Sequence, residues 1–257
     1  VSWRPVIAGA SFLATALWSA GFAAPAACPA TADPDASESL PLLKPHMKPG
    51  GQLDILVVGS ALAGSKPSLA VKGAPAGKES GGNGYIGEMA QGLERSLPGL
   101  HVNLTFDGRR FMSASEMLGV ISSDLDHHHY GLVLWQTGTA DAVRDEPLGD
   151  FFQALSDGTV AAASAGSAMV LVDPQYSRFL EANADLAPYL SSMQAIASTS
   201  GAMLFDRYAL MREWAEAGQI DLESAAPADR PAVAARLHAC LGQALVRSLL
   251  SAVANTP

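Results

Sequence analysis

The sequence predicts an α/β domain, a parallel five-stranded sheet with helices packed on both of its faces. Three observations point to it. Five short apolar runs recur along the chain, segments with apolar residues at helical spacing lie between them, and the two kinds alternate without a break. Strands that alternate with helices are joined by crossovers, and crossovers favour a parallel sheet buried on both sides. A chain of 257 residues, 49% hydrophobic and 16% charged, can bury such a core as one domain.

The first apolar run is Leu53 to Val58, and it leads into the small-residue turn Gly59-Ser60-Ala61. Ile86, Met89, Ala90, Leu93 and Leu97 then fall on one helical face. His101 to Phe106 reads as the second strand. After it Ser113-x-Ser115-Glu116 announces a helix start, with Met117, Leu118, Ile121 and Leu125 on one side. Leu132 to Gln136 and Ala168 to Val172 are the third and fourth strands, separated by helical spacing over Phe151 to Ala163. Ala187 to Ser198 predicts another helix, Ala202 to Phe205 the fifth strand, and Tyr208 to Ala217 a further helix. Pro231 opens the last helix, with Val233, Leu237, Leu241, Leu245 and Leu249 along one stripe. All five strands read as buried, and no internal repeat interrupts the series.

Outside this series the chain begins with one Arg, an apolar run from Val6 to about Ala24, and small residues in Ala-x-Ala patterns. That order reads as a secretory signal peptide over residues 1–27, too short and Ala-rich for a membrane span. It implies a periplasmic or secreted protein with no membrane span in the mature chain. A lipoprotein anchor at Cys28 is disfavoured because Pro25, not Leu, stands third before it. Residues 28–51, rich in Pro, Asp and Ser from Thr31 on, read as an exposed linker, with the folded domain over 52–257. Ser65 to Gly84, dense in Gly, Pro and Lys, reads as a mobile loop beside the site.

Charge and cysteine content narrow the function classes. A net charge of -9, with no basic cluster beyond Arg109-Arg110, excludes nucleic acid as the natural partner. With two cysteines, Cys28 and Cys240, one disulfide is the maximum, and the simpler reading of Cys240 is a small core residue on a helix. His127-His128-His129 cannot all face one ion from a helix and reads as a solvated helix end; no metal or cofactor is expected. In a parallel sheet the site lies beyond the carboxyl ends of the strands, where strand order reverses, so the turns after Val58, Phe106 and Gln136 and the loop before the last helix are the places to search.

At those places the sequence resembles the SGNH, or GDSL-like, hydrolase superfamily, and more closely its secreted bacterial branch. The resemblance runs from about Leu53 to Val253. It is carried most specifically by LVLWQTGTADAVRD (Leu132 to Asp145) and LVDPQYSRFL (Leu171 to Leu180), and FDRYALMREW (Phe205 to Trp214) is also similar. It implies a three-layer α/β/α flavodoxin-like fold and ester cleavage, often of acetyl groups on sugars. The chemistry it implies is a Ser nucleophile, an oxyanion hole of Gly and Asn, and an Asp-x-x-His pair. Matched position by position, the nucleophile falls on Ala61, the oxyanion Gly near Phe111, the Asn on Ala140, the Asp on Asp229 and the His on Ala232. A methyl group cannot attack a carbonyl, and losing one oxyanion donor costs about 2.7–4 kcal/mol of transition-state stabilisation. Ser60, Gly108, Asp141 and His238 are the nearest residual groups, and Asp173, Gln175 and Tyr176 are the candidates for ligand contact.

Three functions are therefore expected in turn. The first is a degenerate hydrolase that binds a carbohydrate or acylated ligand, or a protein partner in cell-surface polysaccharide handling. The second is an active ester hydrolase with a rearranged site, in which Ser60 or Ser65 attacks and His238 or one of His127 to His129 is the base. The third is a scaffolding subunit without a small ligand, which a pocket closed by Phe111 would favour.

Overall fold

The computed structural model describes residues 27–30, 39–59 and 84–256. The expected signal segment up to residue 26, Ser60, Ala61, Ser65 and the rest of the expected mobile loop up to residue 83 lie outside the described residues.

The five strands are β1 (Gln52–Gly59), β2 (His101–Asp107), β3 (Leu132–Gln136), β4 (Ala168–Val172) and β5 (Met203–Phe205). They pair in parallel in the order β2-β1-β3-β4-β5. The helices are α1 (Gly84–Ser96), α2 (Ala114–His127), α3 (Thr139–Arg144), α4 (Leu148–Ser164), α5 (Arg178–Asn183), α6 (Ala187–Ser200), α7 (Arg207–Glu216) and α8 (Arg230–Ala254). Strand order reverses between β1 and β3, so the crevice expected of such a sheet opens beside their carboxyl ends, where Gly59 and Gln136 are register partners.

Alternation along each strand divides the interior into two cores. Leu53, Ile55, Val57, Leu132, Leu134, Val170 and Val172 pack under α1 and α8, while Leu56, Val58, Val133, Trp135, Met169 and Leu171 pack under α2, α4 and α6. This is the three-layer α/β/α architecture. One strand departs from the expectation of full burial: β2 alternates exposed and half-buried residues because it is an edge strand with a neighbour on one side only.

α1 and α8 run side by side in the same direction, with Gly84 against His238, Glu88 against Gly242 and Gly92 against Val246. Gly242 permits the approach, since a Cβ there would stand 2.5 Å from the Glu88 Cβ and 2.9 Å from the Tyr85 carbonyl oxygen. α8 is long and apolar enough to cross a bilayer, but half of its apolar window is buried in this packing.

Two expectations are corrected here. Residues 39–51 are no exposed linker: Leu40, Leu43 and Met47 are 1%, 0% and 7% exposed and belong to the α1/α8 core, and the Leu40 N–H donates to the Ala252 carbonyl. Their i, i+3, i+7 spacing is about two turns of apolar period hidden in a Pro-rich stretch. Cys240 is not a free core thiol either. It is bonded to Cys28, with the two Cα atoms 5.3 Å apart across 212 residues of sequence, so the tail before the sheet is stapled to α8. Arg236 reinforces the tie by donating to the Ala27 carbonyl.

Candidate functional site

The carboxyl ends of β1, β3 and β4 bring together residues from distant parts of the chain. Gln136 ends β3 with its side chain against Gly59, where a glycine is needed because a Cβ would sit 2.9 Å from that of Gln136. Tyr85, in the first turn of α1, donates its hydroxyl to Gln136 Oε1 at 2.9 Å. Arg207, the first residue of α7, donates from Nη1 to Gln136 Oε1 at 3.3 Å and to Tyr85 Oη at 3.4 Å, and from Nη2 to the Asp173 carbonyl at 2.6 Å. Its guanidinium carbon also stands 5.6 Å from the Tyr85 ring centroid. Arg207 and Gln136 are each 6% exposed. Burial raises the Tyr85 hydroxyl above the usual tyrosine range, against the opposing charge of Arg207.

Asp173, expected to contact a ligand, is instead 2% exposed, and its Oδ1 accepts the Tyr208 N–H at 2.9 Å. Burial, with Asp206 beside it, holds its carboxyl well above the usual range. The residues after it do reach the surface: Gln175 is exposed, and Tyr176 is half-buried with its ring edge-on to Tyr208 at 5.5 Å. Arg178 pairs with Asp221 at 2.7 Å and Ser177 donates to Glu223 at 2.7 Å, so this segment is tied to the loop before α8.

On the other face, the turn after β3 passes through Gly138 at φ 88° into α3. Ala140, matched to the family's Asn, is 3% exposed and presents only a methyl group. Asp141 is 1% exposed and is spent on structure, accepting the Ala114 N–H at the start of α2 at 2.8 Å. Burial raises its carboxyl as well. Ser113 caps α2 in a full capping box with Glu116, as its spacing predicts. Phe111, matched to the oxyanion Gly, has φ 60°, a left-handed conformation that costs an aromatic residue strain. Its carbonyl accepts from Arg144, and its side chain is 59% exposed, so it does not plug the interior. Gly108 at φ 132° lies directly on β1: a Cβ there would stand 2.6 Å from the Gly59 carbonyl oxygen.

Asp229 is the N-cap residue of α8 without a side-chain cap bond, and it lines a cavity of about 270 Å³ with Asp221, Val233 and Arg236. Ala232 is exposed in the first turn of α8. His238, two turns on, places its ring against Gly84, 3.8 Å from where a Cβ would stand. Desolvation lowers its pKa, against the pull of Glu88, although part of the side chain remains exposed. His127, His128 and His129 are exposed at the far end of α2. Among the described residues no three His, Cys, Asp or Glu side chains gather in a way that could hold a metal.

A family model described as the Non-GDSL lipase-like family matches residues 25–255. The chain belongs to the Non-GDSL lipase-like family. The match begins before Cys28, so the stapled tail is part of the family's domain. Solved structures agree with this family member in fold. A catalytic mutant of an acetylxylan esterase from Geobacillus stearothermophilus superposes with a TM-score of 0.55 at 18% identity, covering 81% of this chain and 96% of the other. An alpha/beta hydrolase enzyme from the metagenome of Lake Arreo, Spain, superposes with a TM-score of 0.58 at 16% identity, covering 80% of this chain and 99% of the other. No match was found among curated proteins.

Sequence reasoning passed over Gln136, Tyr85 and Arg207 as functional groups. Gln136 was visible as a polar end to an apolar strand, and Arg207 lies in the family-like FDRYALMREW block, but nothing in the sequence joins them. They meet only where three elements converge.

Proposed function

We propose that this family member does not hydrolyse esters and instead binds an acylated carbohydrate at the carboxyl end of its sheet, outside the cytoplasm. The observation that carries the reading is Ala140. Its buried methyl stands where the resemblance places the amide donor of an oxyanion hole. Ala232 repeats the pattern at the matched His position, and Ala61 does so in the sequence. A site without nucleophile, amide donor or base keeps shape but has lost the groups that lower a barrier. The ligand class is suggested by the likeness to the acetylxylan esterase. An oxidising compartment is supported by the Cys28–Cys240 disulfide, and a sulfur held there is not available for a lipid thioether.

The test is fluorophosphonate labelling and p-nitrophenyl acetate turnover of the purified chain, with neither expected. Labelling that disappears in Ser60→Ala would overturn the reading. His238 supports a second reading, an active hydrolase with a displaced base. Its ring lies at the start of α1, and desolvation favours the neutral form a base needs near pH 7. That reading predicts turnover abolished by both Ser60→Ala and His238→Ala.

A further inference from the structure

The loop between β2 and α2 contains one residue that folding alone does not account for. Phe111 has φ 60°, a left-handed conformation that glycine adopts freely and an aromatic residue only at a cost. Burial of a large ring could offset that cost, yet Phe111 is 59% exposed.

The strained turn is held from several directions. Arg144 of α3 donates to the Phe111 carbonyl and, at 3.2 Å, to Glu116 Oε2, and Glu116 closes the capping box with Ser113 at the start of α2. Within the turn the Arg109 N–H donates to the Met112 sulfur at 3.0 Å, and the Met112 N–H donates to the Arg109 carbonyl at 3.4 Å. Gly108 fixes the other end against β1, where a Cβ on it would stand 2.6 Å from the Gly59 carbonyl oxygen. The turn is thus clamped between α2 and the end of β1, beside the point where strand order reverses, and it displays the ring to solvent. A strained residue that its surroundings hold so firmly points to a use other than stability.

The ring's setting defines what it can take. Arg110 places its guanidinium carbon 5.7 Å from the ring centroid, but Arg110 is itself exposed, so the contact is one that a ligand can displace. No cavity is required, because more than half of the residue's surface already faces open solvent. An acyl chain would need apolar surface along its length, whereas the adjoining Arg109 and Arg110 are charged and exposed. A pyranose ring with equatorial hydroxyls fits better: its axial C–H hydrogens meet the electron-rich face of an aromatic ring while its hydroxyls stay hydrated.

We infer that Phe111 is a stacking platform for one pyranose unit of the all-equatorial xylo or gluco type, beside the carboxyl end of β1. The inference rests on the reading that this edge of the sheet binds carbohydrate, and it adds where one sugar unit lies and which stereochemistry it has.

Calorimetry, thermal melts and proton NMR of the purified chain with acetylated xylotriose test both levels. Phe111→Gly removes the ring and relieves the left-handed strain, so Tm is expected to hold while binding weakens by about tenfold or more. Phe111→Leu keeps an apolar side chain without the aromatic face and is expected to show the same loss, and Phe111→Trp is expected to retain binding. On binding to the unaltered chain, the axial C–H protons of one xylose unit are expected to move upfield in the ring current, and not to do so with Phe111→Leu. A fall in Tm of several degrees in Phe111→Gly would make the ring a structural residue and overturn the platform. Undiminished binding in Phe111→Leu also overturns it, and in both cases the carbohydrate reading stands. Absence of binding to the unaltered chain overturns the carbohydrate reading and the platform with it.

Discussion

The two faces of the sheet use their buried polar groups in different ways. Under α2, α4 and α6, Asp141 holds the Ala114 N–H, Ser113 and Glu116 close a capping box, and the Trp135 ring fits against Gly158, where a Cβ would stand 2.3 Å away. Asp141, Ser113 and Glu116 hold helices in place there, while Trp135 Nε1 and Asp141 Oδ2 have no partner among the described residues. Under α1 and α8 a disulfide staples the layer from outside, and the buried Arg207 keeps an Nε with no partner among the described residues. The positions that the resemblance singles out at Phe111 and Ala140 fall on the first face, in the turn before α2 and in α3.

Removing the staple is the strongest way to break this contrast. The double variant Cys28→Ser, Cys240→Ser is expected to lose about 3–5 kcal/mol in urea unfolding, because the bond constrains a very long loop of the unfolded chain. On the opposite face, Gly158→Ala drives a methyl into Trp135 and is expected to cost about 1–3 kcal/mol in the same measurement. Asp141→Ala leaves the Ala114 N–H buried without its acceptor, for a loss of about 2 kcal/mol and no change in ligand binding. Ser113→Ala, which opens the capping box, is expected to cost about 1 kcal/mol.

A pH series sharpens the comparison, since each face buries one carboxyl, Asp141 or Asp173, with its pKa raised by desolvation above the ordinary 3.8. A raised folded-state pKa means that the folded chain holds the proton longer than the unfolded chain does. Stability from these groups is therefore full below the unfolded value and is lost as pH rises through the folded values. Thermal melts are expected to show falling stability upward from about pH 4. Asp173→Asn, which keeps an acceptor for the Tyr208 N–H, is expected to flatten that slope; an unchanged slope would mean that the acid is ionised in the folded chain.

Much of the fold was legible because its signals are local. β3 and β4 have the bounds their apolar runs imply, and the Ser113 start of α2 was written in four residues. α3 and α5 were missed because six residues are too few for an apolar period, and the core role of Leu40, Leu43 and Met47 was masked by neighbouring prolines. Asp173 was misread because polarity at a strand end looks the same in sequence whether the side chain faces solvent or a helix N–H.

By itself the sequence determined the alternation of strands and helices, the five buried runs, and the resemblance to the SGNH hydrolases. All of these depend on neighbours in the chain or on matched positions. Only the tertiary structure decided that Cys28 pairs with Cys240, that the tail belongs to the core, and that Tyr85, Gln136 and Arg207 share one buried site. The physical reason is separation. Gln136 is 51 residues from Tyr85 and 71 from Arg207, and no periodicity or propensity reaches that far; a parallel sheet gathers the ends of its strands at one edge whatever the length of chain between them.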